Sequence, residues 1–469
     1  MKDQYDVIIV GAGMAGLAAA EVLTGTGIAT LVVDENPHAG GQLLRRIEGR
    51  KKWSPDAMKP KGFALAQIIK EAAADPGSNL DLISQAQVLG IFQEHQVQIL
   101  FQGKVREVRA EYILLATGAR ERYLPFKGWT LPGVMSLGAA QILMKSSGIL
   151  PARETLIAGT SPLQMALAGE ILSNGGKVRA ILDENPAQEN FQFLPLARRH
   201  WAKALEGGWY TARLAAARVP HRHRTRIKEA LGETELEAVV TVKTDRKGRA
   251  VPGSEETIET KALAVGYGFV PNVELAVQAG CRLIHDAARG GWIMETDEDL
   301  TASQTHILAA GEVTGVAGVK KSWVEGRLAG LTLKDRLGKV PTGQRGELEK
   351  ERRQLKAERS HQEAYGRFLN RLCRLPRAAY EEINDAAVIC RCEGVTMATL
   401  KQRVAQGFDT PTALKRSSRT GMGRCQGRIC GPVIQEVLAA LNPGVPIAGA
   451  KPALRSPVKN TPIAAYLED

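Results

Sequence analysis

The sequence predicts an α/β protein with two Rossmann-like dinucleotide-binding domains and a small helical domain at the C-terminal end. Three observations carry that prediction. A strand, glycine loop, helix and strand open the chain, a second such unit begins near residue 154, and four of the six cysteines fall between 390 and 430.

The opening unit is YDVIIVGAGMAGLAAAEVLTGTGIATLVVDENPHAGGQ, residues 5–42. An apolar strand over 6–10 runs into Gly11, Gly13 and Gly16 in G-x-G-x-x-G spacing. Gly11 permits the tight turn, Gly13 lets the backbone approach a pyrophosphate, and Gly16 lets helix and strand pack closely. The helix that begins with Met14 and Ala15 turns its free N–H groups toward that pyrophosphate. Asp34, followed by Glu35, ends the second strand, where a carboxylate accepts ribose hydroxyls. Gly41 and Gln42 close the stretch and are counted with the binding residues. A lone glycine triplet is weak evidence, but strand, helix, second strand and acid in this order argue for a bound dinucleotide.

A basic loop and a helix over 63–74 follow. The segments 81–90, 91–101 and 104–109 alternate and read as a small antiparallel meander. A strand over 111–115 then runs into Ala116, Thr117 and Gly118, the ending expected beside an FAD. After a turn-rich linker and a helix over 137–147 comes the second unit, ETLIAGTSPLQMALAGEILSNGGKVRAILDENP. Gly159, Ser161, Pro162 and Asp183 outline its site, but Ser161 and Gln164 stand at the two later glycine positions. A Cβ at each hinders phosphate approach and helix packing. NAD(P), ATP or no nucleotide all stay open there, with a retained fold and a vestigial or repurposed site favoured. His200 lies in the next region, and HRHR at 221–224 is expected as a basic surface loop, because no second ligand cluster accompanies His221 and His223.

The strand over 261–265 and GYGFVPN at 266–272 return the chain to the first domain. The strand ending LAAGEVTG then supplies the second FAD signature: Gly311 admits the ribityl chain and Glu312 can bond its hydroxyl. Gly11 and Gly311 stand 300 residues apart with a Rossmann unit between them. That spacing defines a two-dinucleotide-binding-domain flavoprotein. The expected domains are 1–120 with 266–340 for FAD, 121–265 for the second Rossmann-like unit, 341–380 as a linker of one helix or a helical pair, 381–442 as the cysteine domain, and 443–469 as a tail.

The 469 residues are 44% apolar and 24% charged, as in soluble globular chains. No run approaches the roughly 18 uninterrupted apolar residues of a membrane span. The chain enters its first strand without a signal peptide, so a cytoplasmic location is expected, with contact at the inner membrane surface left open. The formal charge is +12, but aromatics are 5% and no nucleic-acid motif is present. A solvated face or a docking surface for an acidic protein is favoured over nucleic acid.

Cys390-x-Cys392 ends an apolar strand, and Cys425-x4-Cys430 opens a helix expected over 428–441. Thr396 and Thr410 are candidate N-caps of the two helices between. In an intracellular chain such clustering argues for metal over disulfides. Helix N-termini, Arg391, Arg424 and Arg428 would offset four thiolates. The four ligands suit a [2Fe–2S] cluster or a structural zinc, whose usual pairs are C-x2–4-C. Cys281 and Cys373 stand alone, so no dithiol serves the flavin motifs.

GMGRCQGRIC with the upstream CRC resembles the bacterioferritin-associated-ferredoxin type of [2Fe–2S] domain, matching Cys390, Cys392, Cys425 and Cys430. The whole chain is similar to the large subunits of heteromeric flavin-dependent amino- and imino-acid dehydrogenases. These include the opine oxidase A subunits, the hydrogen cyanide synthase B subunits and the α subunits of proline and hydroxyproline dehydrogenases. DENPHAGGQ, LLATGARERYLPFKGWTLPGVM, GYGFVPN, LAAGEVTGVAG and the cysteine module carry the likeness. It implies an electron-transfer subunit holding FAD and a [2Fe–2S] cluster. A smaller partner resembling glycine or D-amino-acid oxidase would oxidise an opine, D-amino acid, proline, hydroxyproline or glycine. A membrane or soluble acceptor, a small ferredoxin-like subunit and FMN at a subunit interface are further parts that the resemblance allows. No catalytic acid or base is singled out in this chain. The competing expectations are a self-contained NAD(P)H-dependent reductase, and a scaffold subunit with a vacant or ATP-filled site and a structural metal.

Overall fold

The computed structural model describes residues 1–45, 58–75, 77–188, 200–442, 444, 452 and 454–467. Most of the basic loop expected after Gln42 lies outside them. The first sheet runs Leu80–Ile83, Thr30–Val33, Gln4–Val10, Lys104–Leu115, Gln96–Phe101 and Gln87–Ile91, and Ile307–Ala309 also pairs with Lys104–Leu115. Its central strands are parallel, with Val7 opposite both Thr30 and Tyr112. All four residues of Thr30–Val33 are buried, as in strands covered on both faces.

Two details differ from the expected meander. Leu80–Ile83 joins the parallel edge of the main sheet. Lys104–Leu115 is one continuous strand of 12 residues. Its outer half pairs antiparallel with Gln96–Phe101, and its inner half continues into the parallel core. Burial follows the sequence, alternating through the outer half and becoming continuous over Ile113, Leu114 and Leu115.

Helices Met14–Leu23 and Val319–Arg336 cross on one face of this sheet, and a Cβ on Gly326 would stand 2.1 Å from the Ala15 carbonyl oxygen. The contact is therefore backbone against backbone. The linker is mainly one long helix, Arg345–Leu372, laid along Val319–Arg336, with the short helix Arg377–Glu381 after it. Charges fix it there: Arg352 and Lys356 reach Asp299 at 2.7 and 2.8 Å.

The second sheet has the order His221–His223, Lys177–Asp183, Glu154–Gly159, Leu263–Gly266 and Val134–Ser136. An antiparallel layer of Thr225–Leu231, Ala238–Lys243 and Glu256–Glu259 lies beside it. The crossings between the first two domains pair as Ala119–Glu121 with Phe269–Pro271. The cysteine module shares a core with the middle domain, in which Leu124, Phe126, Ile227 and Leu263 join Tyr380, Ile389, Leu400 and Val437. The Trp129 indole donates across it to the Val388 carbonyl at 2.7 Å. The tail returns to the first domain, where Val458 is buried and its N–H donates to Leu89 at 2.8 Å.

Candidate functional site

The first glycine loop is held from both sides. The Ala12 N–H donates to Asp34 Oδ2 at 2.7 Å, and the Gly40 N–H donates to the Ala12 carbonyl at 2.7 Å. Asp34 Oδ1 accepts from the Asn36 N–H and side-chain amide at 2.7 and 2.8 Å. Asp34 is thus a staple between loop and second strand, a role the spacing did not reveal. A carboxylate has about four lone-pair sites, so capacity for a ribose hydroxyl remains. Glu35 points outward and pairs with Lys459 at 2.6 Å. No side chain caps the helix that begins at Met14, so its first-turn N–H groups face the loop mouth. A Cβ on Gly13 or Gly118 would meet nothing within 4 Å. An uncapped helix end facing open space suits the pyrophosphate of a dinucleotide.

The second FAD segment rests on buried charges that sequence reasoning missed. Gly311–Thr314 is a short turn after Ile307–Ala309. Glu312 Oε1 accepts the Gly318 N–H at 2.7 Å, and burial raises its pKa. Beneath the turn, Lys321 Nζ donates to the Gly311 and Gly315 carbonyls, both at 2.9 Å, and pairs with Glu325 at 3.0 Å. Glu325 accepts the Gly311 N–H and the Thr314 hydroxyl, each at 2.7 Å, and faces Arg359 at 2.9 Å. Burial pushes the Glu325 carboxyl up, but Lys321 and Arg359 outweigh it and hold it below the usual range. The signal in the sequence was a Lys and a Glu at i, i+4 inside an otherwise buried helix.

The middle domain keeps its Rossmann layout but not an open phosphate cleft. Thr160 and Ser161 are buried, and both backbone N–H groups point to the Gly266 carbonyl at 3.0 and 3.3 Å. The end of the linker helix is laid against this loop: the Thr160 hydroxyl donates to the Cys373 carbonyl at 3.3 Å. The Asn185 amide donates to the Leu372 carbonyl at 2.8 Å. Pro162 stands at the N-cap of the helix Leu163–Ser173. Residues 221–223 form a parallel edge strand, not a loop, because Asp183 and its neighbours offer them backbone partners. An acidic ligand does accompany the histidines, since Asp183 stands opposite His223. His200 is buried and stacked on Tyr365, 4.8 Å between ring centres.

The four clustered cysteines meet. Cys390 ends the strand Val388–Cys390, Cys430 begins the helix Cys430–Leu441, and Cys392 and Cys425 lie nearer the surface. Thr396 and Thr410 cap their helices through the N–H groups of Thr399 and Ala413. The sulfurs touch pairwise, Cys390 with Cys430, Cys430 with Cys425, and Cys425 with Cys392. The Cys430 thiol, helped by the Gly421 N–H, holds Cys390 down at about 6, and the same thiol holds Cys425 at about 4. Among the described residues, three ligand atoms all within 4.8 Å of one another occur at Asp183, His221 and His223, and at no three of these sulfurs. Four thiols gathered in this way are a ligand set for one metal centre. Replacing Cys425 by serine is expected to remove nearly all protein-bound iron while the flavin band stays, as read by iron assay and visible spectrum.

A hydrogen-bond path joins this module to the first domain. Thr117 and Asn272 bond each other twice, at 2.7 and 2.8 Å. Arg120 donates to Asn272 Oδ1 at 2.7 Å and to the Arg428 carbonyl at 3.0 Å, between Cys425 and Cys430. Arg120 also pairs with Glu274 at 2.7 Å. Arg120, Glu274 and Arg428 open onto a cleft lined also by Arg122, His285, Trp292 and Cys430. Among the described residues no helix is long and apolar enough to cross a membrane.

Comparison with known proteins agrees with this architecture. The pyridine nucleotide-disulphide oxidoreductase family matches residues 5–330, and the BFD-like [2Fe–2S] binding domain matches residues 388–440. The opine oxidase A subunit of Agrobacterium tumefaciens (strain Ach5) is 32% identical, over 99% of this chain and 92% of that one. The hydrogen cyanide synthase subunit HcnB of Pseudomonas aeruginosa is 30% identical, over 90% of each chain. The crystal structure of L-proline dehydrogenase from P. horikoshii shares the fold at a TM-score of 0.69 and 19% identity, covering 99% of this chain and 80% of that one. The resemblance read from the motifs is borne out, with FAD as the cofactor of the first domain and [2Fe–2S] as that of the cysteine module. The chain belongs to the pyridine nucleotide-disulphide oxidoreductase family, as a relative of the opine oxidase A subunits that ends in a BFD-like [2Fe–2S] domain.

Proposed function

We propose that this chain is the electron-transfer subunit of a heteromeric amino- or imino-acid dehydrogenase or oxidase. The observation that carries this is the path from Thr117 through Asn272 and Arg120 to Arg428, which fixes the cysteine module directly against the first nucleotide domain. FAD would lie along Gly11, Gly13, Met14, Ala15 and Gly16, with Asp34 and Glu312 accepting hydroxyls and Ala116 to Gly118 beside it. The cluster would be held by Cys390, Cys392, Cys425 and Cys430. When bound, these groups supply two-electron and one-electron redox chemistry. The protein's part is to orient them, to keep the site dry, and to stabilise thiolates with N–H donors such as that of Gly421.

A partner subunit would oxidise the amine. The charged side chains nearest Gly311 support this division, since Glu312, Lys321 and Glu325 are committed to backbone groups and to one another. FMN at the subunit interface and a small ferredoxin-like subunit are further parts that the family resemblance allows. Self-sufficient NAD(P)H reduction is disfavoured by the Leu372 and Cys373 backbone, which lies against the second phosphate loop. In an anaerobic titration, NADH is expected to leave the flavin spectrum unchanged and dithionite to bleach it. Bleaching by stoichiometric NADH overturns the proposal in favour of a reductase.

A further inference from the structure

Asp183, His221 and His223 are absorbed by neither the flavin site nor the cluster. We propose that they form a binding site for one divalent cation of the zinc type, on the edge of the middle domain. Parallel pairing of Lys177–Asp183 with His221–His223 sets Asp183 opposite His223, and His221 shares that face because strand side chains alternate. Asp183 Oδ2 stands 3.6 Å from His221 Nε2 and 3.9 Å from His223 Nδ1. Ligand–ligand separations around a tetrahedral zinc with bonds of ~2.0–2.1 Å to nitrogen and oxygen are about 3.3–3.4 Å. The three groups are therefore within a small side-chain rotation of a metal-binding arrangement.

The surroundings orient the set. The Asn185 N–H donates to Asp183 Oδ1 at 2.9 Å, which leaves Oδ2 turned to the imidazoles. His223 Nδ1 also lies 3.2 Å from the Asn185 carbonyl, so ligation through Nδ1 takes the tautomer with its proton on Nε2 and gives up that contact. The two rings stack at 4.3 Å between centres. Arg222 points to the opposite face and is taken by Glu256 at 2.8 Å, so it does not cancel the Asp183 charge. Half-exposed histidines leave room for water as a fourth ligand. Imidazole with carboxylate suits zinc, cobalt or nickel over calcium or magnesium. The acid that would hold a ribose in a nucleotide-binding Rossmann unit is thus turned to a metal. Asn185 ties the same edge to Leu372, so the cation would brace the closed second cleft.

The test is zinc titration by calorimetry of the full chain with its cluster loaded, so that the four cysteines are occupied. Wild type is expected to bind one equivalent. The His221→Ala/His223→Ala double variant should bind at least about 100-fold more weakly, with iron and flavin contents unchanged as the folding control. Equal zinc binding by wild type and the double variant overturns the site. Cobalt gives an independent readout: bands of a nitrogen–oxygen site without sulfur charge transfer support the proposal, and sulfur charge transfer overturns it.

Discussion

Alanine at position 16 is expected to destabilise the first domain by about 3 kcal/mol or more and to abolish flavin retention. A Cβ there would stand 1.8 Å from the Gly11 carbonyl oxygen and 3.2 Å from an Ile9 methyl. The obstacle is backbone, so no rotamer change relieves it. The glycine loop would have to move outward, breaking the staple from Ala12 to Asp34 and the bond from Gly40 to Ala12. Alanine at Gly13 is the control. Its Cβ meets nothing within 4 Å, so the fold should keep its stability while the new methyl occupies the space of the pyrophosphate. Thermal unfolding and bound flavin per chain separate the two. Wild-type behaviour of Gly16→Ala in both measurements would contradict the packing described.

Replacing Lys321 by methionine is expected to cost about 3–5 kcal/mol, the usual penalty for breaking a buried ion pair. The Gly315 carbonyl loses its Lys321 donor, the Gly311 carbonyl is left with the Thr314 hydroxyl, and Glu325 keeps Arg359 as a cationic partner. Neutralising the partner as well should return part of the loss, since Glu325→Gln removes the charge and keeps an acceptor for the Gly311 N–H. The double variant should then be less destabilised than the sum of the single ones, by denaturant unfolding. A cost below about 0.5 kcal/mol for Lys321→Met would show the network to be dispensable. Flavin binding should weaken together with stability, because the turn that carries Gly311 and Glu312 rests on this network.

What the sequence revealed were features whose chemistry is local. The glycine loop and the Thr396 and Thr410 caps lie within a few residues of the groups they serve, and the acid after the second strand and the cysteine pairs stand at fixed motif spacings. Features built by distant segments were not legible. Asp183 and His223 are neighbours through strand pairing, and the HRHR stretch alone looked like a loop. The seating of Leu372 and Cys373 against Thr160 joins residues more than 200 apart in sequence. Lys104–Leu115 read as two strands because its alternation changes where one face leaves the antiparallel layer and enters the parallel core. Asp34 reads in the sequence as the acid that ends the second strand, but its bond to Ala12 depends on the loop's folded path.

The core shared by the middle domain and the cysteine module bears on how the protein folds. By motif these are two domains, yet Phe126, Ile227 and Leu263 are buried in one apolar body with Ile389, Leu400 and Val437. Neither half closes its interior alone, so the pair is expected to melt as one cooperative unit. Assembly of the cluster and completion of the middle domain are then thermodynamically linked, because whatever binds only the folded module also stabilises the Rossmann sheet packed beneath it.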